Sequence, residues 1–128
     1  MDKPSVMPPR VLVVDDLVMN RILLREILTE LHYEYTLAEN GKKAIEYLES
    51  EPLDIVLMDI EMPVMNGIET TRYIRNSLPP PASGIPIVAL TAHNPRIFFE
   101  DFRDVGFDAI LTKPYSIEKL QEIILRFC

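Results

Sequence analysis

Three stretches of this chain are apolar at consecutive positions: VLVV at 11–14, IVLM at 55–58 and, around one proline, IPIVAL at 85–90. A strand points successive side chains to opposite faces, so such a run must be covered on both sides. A parallel sheet packed between helices meets that demand. The segments between the runs supply the helices. Residues 18–31 place Met19, Ile22, Leu23, Ile27 and Leu31 at the spacing of a core-facing stripe. YTLAE at 35–39 reads as a second strand, and Asn40 as the N-cap of a helix carrying Ala44, Ile45 and Leu48. DIVLMD at 54–59 is the third strand. Ile68, Thr71 and Ile74 or Arg75 mark a third helix, which must stop by SLPPPASG because prolines cannot continue it. After the fourth strand at 85–90, Asn94 caps and Pro95 opens a helix that Gly106 is expected to end. DAILT at 108–112 is the fifth strand. Ser116 then caps a last helix with Ile117, Leu120, Ile123, Ile124 and Phe127 on one face. Five strands alternating with five helices predict an α/β, doubly wound parallel sheet with right-handed crossovers. Residues 1–9, with three prolines, read as a tail or linker before a single domain over 10–128.

Charge and composition narrow the function. A net charge of −7 argues against direct nucleic-acid binding, which needs basic patches. No apolar run approaches the roughly 20 residues of a membrane span. The first ten residues lack the apolar segment of a secretory signal. The single cysteine, Cys128, cannot form an internal disulfide, so a cytoplasmic location and a bland terminal thiol are expected.

In open parallel sheets, ligands bind beyond the carboxyl ends of the strands. Asp15, Asp16, Asp59, Thr91 and Lys113 all fall at or just past those ends. Asp54 and Asp108 fall at the amino ends and are excluded on geometry. Carboxylates gathered on one edge repel one another and are driven to protonate. A hard dication removes the conflict, and Mg²⁺ typically takes one or two carboxylates plus phosphate oxygens. Lys113 adds a mobile positive charge and Thr91 a hydroxyl able to donate to a phosphoryl oxygen. No G-x-x-x-x-G-K loop cradles a nucleotide, so the phosphoryl group is expected on one of the acids. Asp59 is the best nucleophile, because it ends the strand expected nearest the sheet centre. Asp15 and Asp16, being neighbours, suit a shared metal.

The motifs VLVVDD, LMDIEMPVMNG, IVALTA and LTKP, in that order, resemble those of the receiver domain of two-component response regulators, over about residues 10–128. The long stretches DDLVMNRILLREIL and LMDIEMPVMNGIETTRYIR are most similar to receivers of hybrid histidine kinases. The resemblance implies a flavodoxin-like sandwich with strand order 2-1-3-4-5. It implies that Asp59 takes a phosphoryl group from a phosphohistidine on a histidine kinase or histidine phosphotransfer domain. It implies Mg²⁺ held by Asp16, Asp59 and the Glu61 backbone carbonyl, with Asp15 acting through water. Thr91 and Lys113 would bind the phosphoryl group, and the Lys113–Pro114 bond would be cis. A conventional enzyme is not expected; Mg²⁺-dependent self-phosphorylation and autodephosphorylation at Asp59 are. A downstream protein or a second copy is expected on the face of the fourth and fifth helices. The Pro-rich lead-in and the end after the last helix suggest a piece of a longer kinase. One position departs from the family pattern: Ile110 stands where an aromatic switch residue is usual.

Several residues carry a second reading. His93, two residues past Thr91, stands at the mouth of the site and is a candidate for tuning water access. His32 suits the end of the first helix, where a positive charge meets the dipole. Met58, Met62 and Met65 read as packing. Phe98, Phe99 and Phe102 predict a wide buried face, with a partly exposed aromatic for a partner as the alternative. For the whole chain the rivals are an unphosphorylated scaffold of the same fold and an Asp-nucleophile phosphatase. The scaffold usually lacks one of the acids or the lysine; the phosphatase wants a D-x-D arrangement that adjacent Asp15 and Asp16 do not make.

Overall fold

A computed structural model of the chain describes residues 8–62 and 65–128. The elements are β1 (Arg10–Val14), α1 (Val18–Glu30), β2 (Glu34–Ala38), α2 (Gly41–Ser50), β3 (Ile55–Asp59), α3 (Gly67–Ser77), β4 (Ile87–Thr91), α4 (Pro95–Phe102), β5 (Ala109–Thr112) and α5 (Ile117–Phe127). All neighbouring strands pair in parallel, in the order β2-β1-β3-β4-β5. The expected sandwich is therefore present. Strand bounds differ from the sequence reading by one or two residues, the usual uncertainty at element ends.

The uninterrupted apolar runs divide by parity. Val11, Val13, Ile55, Leu57, Val88 and Leu90 face one layer, formed with Leu24, Ile27 and Leu28 of α1 and Leu120, Ile123 and Ile124 of α5. Leu12, Val14, Val56, Met58, Ile87 and Ala89 face the other, formed with Ala44 and Leu48 of α2, Ile74 of α3 and Phe98 of α4. This alternation is why β1, β3 and β4 tolerate no polar interior residue.

Four expectations change. The buried stripe of α1 is Leu24, Ile27 and Leu28, whereas Met19, Ile22 and Leu23 face outward. Apolar residues surround this helix, so spacing alone fixes no single core face. The phenylalanines of α4 split: Phe98 is buried against Phe102 and Phe107, while Phe99 is exposed. The partly exposed aromatic is thus the reading that holds for Phe99. Gly106 does not end α4, which stops at Phe102. It sits beyond a further turn with φ +113°, where a Cβ would strike the Arg75 side chain. Arg75 marks no apolar stripe but anchors that region through its guanidinium.

His32 lies just past α1 at φ 63°, a conformation usually given to glycine. Its N–H bonds to the Thr29 carbonyl and that of Tyr33 to the Leu28 carbonyl, closing the helix end. Asn40, Asn66, Asn94 and Ser116 cap the helices they precede, and Asn66 and Glu69 form a reciprocal capping box. Asp54 and Asp108 tie strand starts together. Asp54 accepts the Arg10 N–H, and Asp108 accepts the Ile87 N–H. Among the described residues no helix is long and apolar enough to cross a membrane.

Candidate functional site

β1 and β3 are neighbours in the sheet although two helices and β2 separate them in sequence. Their carboxyl ends therefore open side by side, at the point where the winding of the sheet reverses. Asp15 and Asp16 follow β1, and Asp59 is the last residue of β3. One oxygen from each of these three carboxylates lies within 4.8 Å of the others. Asp15 and Asp59 are buried, at 1% and 2% exposure, while Asp16 is half-buried.

Asp15 is held by its own chain. Its Oδ1 accepts the Leu17 N–H at 3.0 Å and its Oδ2 accepts the Asn20 side-chain amide at 3.1 Å. Its carbonyl accepts from the Arg21 guanidinium at 2.7 Å. Asp16, in contrast, makes no side-chain hydrogen bond or ion pair among the described residues. The two adjacent acids are thus in different states: one has both carboxylate oxygens engaged by protein donors, the other is free to take a ligand.

Lys113 follows β5 and reaches past β4 to place Nζ 2.9 Å from Oδ1 of Asp59. Its backbone N–H bonds to the Thr91 carbonyl at 2.8 Å, and the Lys113–Pro114 peptide is cis, as the resemblance implies. Thr91 ends β4 fully buried, and its Oγ1 accepts the His93 N–H at 3.1 Å. Glu61 stands two residues past Asp59, and its side chain meets the His93 ring, with Oε2 2.7 Å from Nε2. The fold therefore brings Asp15, Asp16, Asp59, Thr91, Lys113 and Glu61 to one edge. Asp54 and Asp108 lie at the opposite one.

The electrostatics are those of crowded acids. Burial raises the Asp59 carboxyl above its ordinary range. The hydrogen bond from Lys113 lowers it, the Asp15 charge raises it, and the Lys113 charge and the Glu61 backbone lower it without reversing the shift. Tyr115, behind Lys113, has its phenol pushed up to about 12, by burial first and then by Asp15 and Asp59. Three hard oxygen donors, one of them unengaged, and a carboxylate whose ionised form burial disfavours suit a small divalent cation.

Gly67 brings α3 against the end of β3. Its N–H bonds to the Ile60 carbonyl, and a Cβ there would fall on the Asp59 carbonyl oxygen. Asn20, Gly67 and Tyr115 are site neighbours that the sequence reading did not single out. The available signals are Asn20, one helical turn past Asp16 at the start of α1, and Gly67 at the end of the motif LMDIEMPVMNG.

The family model for the response regulator receiver domain matches residues 11–125. Hybrid signal transduction histidine kinase I of Dictyostelium discoideum is 38% identical over 125 residues, which are 94% of this chain and 7% of that protein. Aerobic respiration control sensor protein ArcB of Escherichia coli is 36% identical over 122 residues, 91% of this chain and 15% of that protein. The chain thus spans a small fraction of these curated relatives. Among solved structures, the receiver domain of sensor histidine kinase PA1611 from Pseudomonas aeruginosa, with a magnesium ion coordinated in its active site cleft, superposes with a TM-score of 0.84. It is 32% identical and covers 94% of this chain and 97% of its own. The receiver domain of Ssk1 from Saccharomyces cerevisiae, crystallised with the histidine phosphotransfer protein Ypd1, gives a TM-score of 0.82 at 31% identity, covering 96% and 91% of the two chains. With a matching fold, a converged acid cluster and a family match along nearly its whole length, this chain belongs to the response regulator receiver domains of two-component signalling.

Proposed function

We propose that Asp59 is the phosphoacceptor. Its carboxylate oxygen attacks the phosphorus of a phosphohistidine on a histidine kinase or histidine phosphotransfer domain. An O–P bond forms as the P–N bond breaks, and the imidazole leaves with the bonding pair. The carrying observation is the placement of Asp59: buried at 2% exposure at the end of the central strand, 2.9 Å from the Lys113 ammonium and within 4.8 Å of Asp15 and Asp16. Lys113 holds one carboxylate oxygen in place and stays beside the charge that builds on the transferring group. Thr91 offers its hydroxyl proton to a phosphoryl oxygen.

Mg²⁺ fits the acids present. Asp16 and Asp59 would hold it by their side chains and Glu61 by its backbone carbonyl. Asp15, whose oxygens are engaged by Leu17 and Asn20, would act through water. When bound, the ion neutralises charge on the transferring oxygens. Support comes from the magnesium in the cleft of the PA1611 receiver domain.

The donor surface is proposed on α1. Leu17, Val18, Met19 and Leu23 are each more than half exposed, and they begin directly beside Asp16. A donor that delivers a phosphoryl group to Asp59 must sit over this edge, and an apolar patch there suits a helical partner with an apolar face. The Ssk1 receiver in complex with Ypd1 supports a partner of that class. A different partner face is proposed at α4 and α5, where exposed Phe99 lines a groove with Phe107 and Ile110. The resulting aspartyl phosphate shifts the domain between two arrangements of that face and is lost by hydrolysis.

Incubated with Mg²⁺ and acetyl phosphate, the parent protein should gain 80 Da and Asp59→Asn should not. Equal labelling of both would rule out Asp59.

A further inference from the structure

We infer that Asn20 is a positioning residue that sets which divalent cation the rim prefers: by holding Asp15 back, it keeps a two-carboxylate site suited to Mg²⁺ from becoming a three-carboxylate site suited to Ca²⁺. This role deepens the reading of Asp16 and Asp59 as the metal-holding carboxylates and rests on it. The main chain of Asp15 is fixed at both ends. Its N–H donates to the Ala38 carbonyl at 3.1 Å, and its own carbonyl accepts from the Arg21 guanidinium at 2.7 Å. Only the side-chain torsions are left to move the carboxylate. Oδ1 is held by the Leu17 N–H at 3.0 Å, within the turn that opens α1. Oδ2 accepts from one donor among the described residues, the Asn20 side-chain amide at 3.1 Å. Asn20 therefore decides whether Oδ2 faces protein or the other two acids.

The consequence is one of ligand count. Asp15, Asp16 and Asp59 each bring one oxygen within 4.8 Å of the others, and Asp15 is buried at 1% exposure. The third carboxylate thus stands beside the other two and is kept from sharing their cation by its hydrogen bonds, not by distance. Mg²⁺ is small, demands near-octahedral geometry and keeps several waters, so it takes about one or two carboxylates. Ca²⁺ accepts about six to eight oxygens in a flexible shell, and its affinity rises with the number of charged ligands. Releasing Oδ2 to the rim therefore favours Ca²⁺ over Mg²⁺. The Asn20 amide nitrogen is a neutral donor, so it occupies Oδ2 without adding charge to a crowded edge. An apolar side chain at this position would leave Oδ2 open.

Amide shifts of the unphosphorylated protein, followed in separate Mg²⁺ and Ca²⁺ titrations, test the assignment. Asn20→Ala removes the donor. Asn20→Leu removes it while keeping a branched side chain, which tells loss of the bond from a packing defect. In both variants Ca²⁺ should bind about ten-fold more tightly relative to Mg²⁺ than in the parent. Asp15→Asn keeps an acceptor for the Leu17 N–H but removes the charge. In that background Asn20→Ala should leave the ratio unmoved, because the effect acts through Asp15. Three results would each overturn the role of Asn20: a ratio unchanged in both variants, a shift that persists beside Asp15→Asn, or a parallel loss of affinity for both cations. The last is the behaviour of a group that merely orients a ligand. A parent protein that binds neither cation would overturn the reading of the rim as a cation site, and the selectivity with it, so the two failures are told apart by the parent titration alone.

Discussion

Arg75 offers five N–H bonds and spends all of them. Nε and one terminal nitrogen donate to the Gly106 carbonyl, the other terminal nitrogen to the Ser83 and Ile85 carbonyls, and the fifth bond goes to Asp108 at 2.8 Å. Asp108 Oδ2 in turn accepts the Ile87 N–H, so one side chain of α3 fixes the starts of β4 and β5. Those two strands carry Thr91 and bring in Lys113 at their far ends. Arg75→Ala leaves three carbonyls and a carboxylate without this donor, and unfilled part-buried acceptors cost ~1–3 kcal/mol each before relaxation and water entry. A loss of about 2–4 kcal/mol is expected in urea or thermal unfolding, and Arg75→Lys should recover little of it, since a point ammonium cannot reproduce the planar fork. A loss under roughly 1 kcal/mol would mean the network is solvated rather than structural. None of this was legible in the sequence. Asp59, Lys113 and Thr91 stand out because each interrupts or ends an apolar run, whereas Arg75 entered the sequence reading only as an alternative to Ile74 in marking a helix.

At the scale of the element, the helix that most departs from its sequence reading is the one on which the donor surface is proposed. α1 reads VMNRILLREILTE, with apolar residues on more than one face. Burial goes to Leu24, Ile27 and Leu28 because they lie over Val11, Val13 and Leu57 of the sheet. Periodicity cannot choose between two apolar stripes about 100° apart; the sheet beneath chooses. The remaining stripe is left on the surface beside Asp16, with Met19 at 73% and Leu23 at 55% exposure. Leu23→Glu should therefore change stability by less than about 0.5 kcal/mol, as expected for an exposed site. It should slow phosphoryl transfer from a histidine phosphotransfer domain about ten-fold, the cost of losing one apolar anchor from a small interface. Labelling by acetyl phosphate, which needs no docking, should be unaffected. An unchanged rate from the protein donor would move the donor surface away from α1.

The whole molecule works as a frame that forces like charges together. Eight of the nine residues of β1 and β3 that precede Asp59 within the two strands are fully buried apolar side chains, and only Arg10, at the outer start, is not. The register pairs Val14 with Met58, so Asp15 and Asp59 must emerge side by side. That much is readable from the sequence, since continuous apolar runs imply a doubly covered parallel sheet and such sheets open at their carboxyl ends. What the apolar runs leave open, and only the family resemblance implies, is a division of labour between Asp15 and Asp16; its physical basis is the Leu17 N–H and Asn20 amide closing over one carboxylate and not the other. Packing the core thus costs free energy at the rim, visible in the raised Asp59 carboxyl. A cation bound at this edge only in the folded state must return stability by RT ln(1 + [L]/Kd), about 1.4 kcal/mol at a tenfold excess over Kd. For a domain of this size the melting temperature should rise by about 4–8 °C when Mg²⁺ is added in that excess, and EDTA should reverse the rise. Asp16→Ala should abolish most of the increment, because it removes the one carboxylate of the three that no protein group engages. Asp54→Ala, at the opposite end of the sheet, should lower the baseline through loss of the Arg10 contact yet keep the full increment. An increment that survives in Asp16→Ala, or disappears in Asp54→Ala, would place the cation elsewhere than the rim formed by β1 and β3.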